Sequence, residues 1–127
     1  MNVALWIVQA LLALAFLGTG GMKLAMPIDE LIAGGMTVFE HVPAGLVRFI
    51  GLCEVLGAVG LILPSALRIQ PRLTPIAAAL LTVVMVLAVS THFAIGDGAH
   101  ALPAAILGLL AAFVAWGRFV KAPIAAR

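Results

Sequence analysis

The chain has 127 residues, of which 65% are hydrophobic and only 9% charged, with a formal net charge of +2 and a mean hydropathy of +1.26. A water-soluble domain carries about a quarter charged residues, so this chain cannot clothe a surface in water, and lipid is the solvent for most of it. The small, scattered positive charge excludes nucleic acid as a partner, and the single cysteine, Cys53, excludes an intrachain disulfide, a CxxC redox centre and a cysteine-rich metal site.

Residues 1–22, 73–96 and 98–117 contain no charged side chain, and residues 49–67 contain one, Glu54. Crossing the hydrocarbon core takes about 20 mainly apolar residues at 1.5 Å rise each. The fold class predicted is therefore all-α: a four-transmembrane-helix bundle with spans near 3–23, 47–63, 73–95 and 102–119, forming one domain over 1–127. The first stretch lacks a basic leader and runs too long for a secretory signal, so it reads as a retained span.

In the first span Gln9, Phe16, Thr19 and Lys23 share a face, and the polar members suit interhelical hydrogen bonding. In the connection 24–46, Pro27 followed by Asp29 and Glu30 predicts a short helix, because proline suits the first turn and acids suit its positive end. Gly34 and Gly35 stop it, and this piece is expected along the membrane interface. The second span carries Glu54 among Gly51, Gly57 and Ala58, a small-residue face that should point into the bundle, and Pro64 is expected to end it. Pro71 and Pro75 bracket the start of the third span, where Thr82, Met85, Val89 and His92 share one face. A tight loop, 96–101, leads to the fourth. Its Ala104, Gly108 and Ala112 form a small-residue stripe that serves packing within one chain or in a homo-oligomer.

Glu54 is the sharpest feature. A carboxylate inside a span must be paired, hydrogen-bonded or protonated. Lys23, at the end of the first span, is the expected partner, with Arg48 a weaker one. Their pairing would either fix helix register or handle protons for a ligand. His92, placed by the predicted spans at roughly the depth of Glu54, adds an imidazole suited to proton transfer. Glu54, His92 and Lys23 are thus the catalytic candidates. Arg48 at the head of the second span, Gly51 beside Glu54 and Met85 on the His92 face are the ligand-binding candidates. His41, His92 and His100 match no metal-ligand spacing, so no metal is expected. Cys53 reads as a small buried hydrophobe.

The segment Gly20-Gly21-Met22-Lys23-Leu24, the stretch from Arg48 to Pro64 with its Gly-x-x-Glu-x-x-Gly-Ala-x-Gly-Leu-x-Leu-Pro pattern, Leu73-Thr74-Pro75 and the later Thr91-His92 together resemble the DoxX-like membrane proteins. The resemblance covers nearly the whole chain. It implies a four-helix membrane bundle with Lys23, Arg48, Glu54 and His92 as its polar positions. The residues themselves make no cofactor evident; by analogy with relatives linked with quinone-dependent sulfur oxidation and membrane redox complexes, the resemblance adds quinone as a candidate cofactor. Three functions follow: a quinone-linked membrane redox subunit working with a redox partner protein; a membrane enzyme doing acid–base chemistry on a lipophilic small molecule; and a non-catalytic binding, transport or assembly protein.

Orientation follows from the basic residues. One side holds Arg68, Arg72, Arg118, Lys121 and Arg127, and the other only Lys23 and Arg48 among four acids. By the positive-inside rule both termini are expected in the cytoplasm, as in a multi-pass protein of a bacterial inner membrane. Fluorescent-protein and alkaline-phosphatase fusions at the C-terminus check this. The expected result is fluorescence without phosphatase activity; the reverse pattern overturns the orientation.

Overall fold

A computed structural model of the chain describes residues 1–34, 37–96, 98 and 101–125. Gly35, His100 and Arg127, named above, and Asp97, one of the four acids counted opposite the basic side, lie outside the described residues. Four long helices, each apolar enough to cross a membrane, are α1 (Asn2–Ala25), α3 (Ala44–Leu67), α4 (Leu73–Ala94) and α5 (Ala101–Trp116), the last continuing as a π-turn over Gly117–Lys121. A short α2 (Ile28–Ala33) starts after Pro27 with Asp29 and Glu30 in its first turn, as expected, and a 3₁₀ turn follows at Thr37–Glu40.

The helices run up and down in sequence. Helix α1 packs chiefly on α3, α3 also on α4, and α4 on α5, while a lighter α1–α5 contact closes the ring. One end of the bundle carries the chain termini and the α3–α4 connection, and is called the terminal end below. The other, the loop end, is covered by α2 and the 3₁₀ turn, where Leu31, Phe39 and Val47 form a small apolar cluster. The main core threads all four long helices: Leu5, Leu12 and Phe16 of α1, Ala58 and Leu61 of α3, Ala78, Leu81 and Met85 of α4, and Ala111 and Val114 of α5. The outer faces stay apolar, with Leu109 73% exposed, which suits contact with lipid tails.

Pro64 does not end its helix: α3 continues to Leu67. A proline lacks the N–H that would bond the carbonyl four residues back. Here that carbonyl, of Gly60, accepts a bond from the Thr74 hydroxyl of α4 at 2.9 Å, and Ser65 Oγ donates to Thr74 Oγ1 at 2.6 Å. A neighbouring helix thus replaces the missing donor, as lipid burial demands. Helix α3 stops instead at Arg68, which takes a left-handed conformation (φ 56°).

Glycines set the closest helix approaches. A Cβ on Gly20 would lie 2.8 Å from the Gly51 carbonyl oxygen and 2.9 Å from Glu54 Cβ, and one on Gly51 would lie 2.7 Å from Lys23 Cβ. Gly57 meets Leu81, and Gly108 meets Met85, in the same manner, so the predicted small-residue face of α3 and Gly108 of α5 serve packing within the chain. Gly20→Ala or Gly51→Ala should therefore lower stability by about 1–3 kcal/mol. Gly18→Ala and Gly21→Ala, where a Cβ meets nothing within 4 Å, should be neutral or gain up to about 1 kcal/mol of helix propensity. Unfolding of the detergent-solubilised variants reads the difference.

Candidate functional site

The Gly20–Gly51 crossing seats the polar residues of α1 against those of α3. Glu54 is 1% exposed and lies ten residues past Ala44, so about 15 Å into its helix. Because α3 starts earlier than the predicted 47, the carboxylate sits deeper than the sequence indicated. Its Oε1 takes an ion pair from Lys23 Nζ, and its Oε2 accepts a hydrogen bond from Thr19 Oγ1 at 2.6 Å. Thr19 and Lys23 are one helical turn apart on the same face of α1, so one helix supplies both donors. The described hydrogen bonds of Glu54 all come from α1.

Arg48 does not join this pair. Its Nη1 donates to the backbone carbonyls of Lys23 and Met26, the latter at 2.6 Å. These are carbonyls of the last turn and C-cap of α1, which its own helix leaves unbonded. The guanidinium also offsets the negative end of the α1 dipole. Arg48 thereby holds the backbone that carries Lys23.

Of the six candidates, Lys23, Glu54, Arg48 and Gly51 converge at this crossing. Met85 and His92 do not. Met85 is buried in the main core against Gly108. The register of α3 against α4, with Gly57 facing Leu81, Gly60 facing Ala77 and Ser65 facing Thr74, places Val84 level with Glu54. His92 is then eight residues, about 12 Å, farther toward the loop end. It is half-buried in the last turn of α4. A general acid–base mechanism shared by Glu54 and His92 on one small substrate would have to bridge that separation, whereas such groups act within hydrogen-bond reach.

A second polar cluster was missed. Arg118, read from sequence as a cytoplasmic charge marker, is 3% exposed. Its Nε donates to Gln9 Oε1 at 2.7 Å, while Gln9 Nε2 donates to the Leu61 carbonyl at 2.6 Å. The available signal was Gln9 itself: a lone amide inside an apolar span needs a partner, and Arg118 is the strongest donor at the matching end of α5.

Compared with known families, residues 7–114 match the model described as the DoxX-like family. The match takes in Lys23, Arg48, Glu54 and His92 and stops short of Arg118. No curated protein and no solved structure matches the chain.

Two substitutions separate the roles at the crossing. Thr19→Val leaves one lone-pair face of a buried carboxylate without its donor and should cost about 1–3 kcal/mol. Arg48→Met should fray the end of α1, raising amide hydrogen exchange in residues 20–25 while leaving α3 protected. Uniform exchange across both helices would contradict the capping role.

Proposed function

Because the chain belongs to the DoxX-like family and is a small multi-pass membrane protein, we propose that it is a membrane redox subunit whose Lys23–Glu54 pair receives the polar head of a lipophilic quinone. The observation that carries this reading is the asymmetry of the pair. Glu54 is sealed, with both oxygens occupied, whereas Lys23 is 13% exposed and uses one N–H on Glu54. An ammonium has three N–H groups, so two remain to donate to a carbonyl oxygen arriving from the lipid side. The donor set fits a quinone: a fixed cation for the head, and apolar helix faces for the ring and tail.

In this reading a partner protein supplies the electrons. Lys23 would hold the quinone oxygen and is placed to supply a proton there. Glu54 holds the amine in position, and protons would reach it from the loop end. Thr19 fixes the carboxylate rotamer. His92, nearer the loop end, stands on the side from which those protons come. The orientation inferred from the basic residues places this end outside the cytoplasm of a bacterial inner membrane. It is consistent that Lys23 and Arg48 are both tied into the protein, while Arg68, Arg72 and Lys121 lie at the terminal end.

The sealing of Glu54 favours a second reading, in which the pair only fixes the register of α1 on α3 in a binding or assembly protein. Mass spectrometry of lipophiles retained by gently purified protein separates the two. The expected result is a retained quinone, lowered about tenfold in Lys23→Met through loss of a charge-assisted hydrogen bond. Folded wild-type protein without quinone, or equal retention in folded Lys23→Met, overturns the redox reading in favour of the second.

A further inference from the structure

Arg118 enters the bundle from the π-turn Gly117–Lys121, a geometry that often marks functional positions. Gly117 lets the turn press close, since a Cβ there would lie 2.5 Å from Leu5. A guanidinium has five N–H groups. Nε bonds Gln9, and Nη1 bonds both Asn2 Oδ1 at 2.8 Å and the Ala122 carbonyl at 2.9 Å. Nη2 is buried and has no hydrogen-bond partner. Every described partner is a neutral dipole, so a full positive charge is buried without a counter-charge among the described residues, a costly arrangement.

This guanidinium adjoins a groove of about 490 Å³ at the terminal end of the bundle, lined by Asn2, Trp6, Ser65, Arg68 and the tail from Ala122 to Ala125. Asn2 and Ala122, which hold Nη1, form part of its wall, as does Trp6, whose ring centre is 5.6 Å from the Arg118 guanidinium carbon. Arg68 adds a second positive charge and ties the tail across the groove through Nε to the Ala125 carbonyl at 2.8 Å. No acidic side chain is among its described lining residues. The volume falls within the range of small-ligand sites.

We propose that this groove is a binding site for an anionic phosphate group, which pairs with Arg118 and Arg68. The incoming oxygen replaces the neutral Asn2 acceptor and reaches Nη2, giving the buried cation its counter-charge. Such a group reaches this end of the bundle as a phospholipid headgroup or as free phosphate, and the oxygen chemistry is common to both. The site lies at the opposite end of the bundle from the Lys23–Glu54 pair and stands independently of the redox reading.

Trp116→Phe leaves Trp6 as the sole tryptophan, so its fluorescence reports the groove directly. The detergent-solubilised protein is titrated with dioctanoyl phosphatidylglycerol, with the zwitterionic dioctanoyl phosphatidylcholine and with inorganic phosphate. A saturable change is expected with phosphatidylglycerol at a midpoint below that for phosphatidylcholine. The midpoint should rise about tenfold in Arg118→Gln and about threefold in Arg68→Gln, as expected for lost charge-assisted bonds. Saturation by phosphate as well identifies a free-ion site; saturation by phosphatidylglycerol alone identifies a headgroup site. No saturable change with either anion, or midpoints unmoved by both substitutions, overturns the proposal. If Arg118→Gln does not fold, the Arg68→Gln midpoint decides.

Discussion

An ionised side chain inside a bilayer must find its counter-charge within the protein, because no water is present to supply one. In this chain that constraint falls on Glu54. Its answer, Lys23 on one oxygen and Thr19 on the other, requires α1 and α3 to approach more closely than ordinary side chains permit. Gly20 and Gly51 make that approach. The crossing in turn places Arg48 beneath the last carbonyls of α1, and the stapled pair forms one wall of the bundle, with α4 packed on α3 and α5 packed on α4. With lipid on the outside, apolar burial contributes little to holding helices together, so these few polar contacts and glycine contacts set the register.

The same logic recurs at two other levels of the bundle. Around Pro64, a lost backbone bond is replaced by Thr74 and Ser65, which locks α3 to α4. At the terminal end, Gln9 bridges the Leu61 carbonyl to Arg118 and so joins α1, α3 and the π-turn. The two ends differ in one respect. Near the loop end the buried carboxylate of Glu54 has its counter-charge in Lys23. At the terminal end the guanidinium meets only dipoles. The first leaves one partly exposed ammonium beside a sealed carboxylate; the second leaves a buried guanidinium nitrogen without a partner among the described residues.

Much of this was legible in the sequence. The four spans follow from the near absence of charge, the short helix from Pro27 and its acids, and the Lys23–Glu54 pair from two opposite charges at matching depths on neighbouring spans. The errors share a cause. Pro64 looks like a stop because proline is judged by its own helix, whereas the donor that lets α3 continue is Thr74 of α4, on the next helix. Arg118 looks like a surface charge because it sits near the C-terminal end, whereas its burial depends on Gln9, far away in sequence. His92 seemed level with Glu54 when depths were counted from predicted helix ends; the register of α3 on α4, set by Gly57 against Leu81, puts it about two turns farther out. Local pattern identifies elements. Interhelical partners decide where polar groups end up.

The central claim is that Lys23 and Glu54 act as one buried unit at the α1–α3 crossing. A double-mutant cycle with Lys23→Met and Glu54→Leu, read by unfolding in detergent, tests it most directly. Each single change leaves a buried charge unpaired and should cost about 3–5 kcal/mol, while the double variant, with neither charge, should cost far less than their sum. Additive single costs, with no coupling between the two positions, would contradict the account.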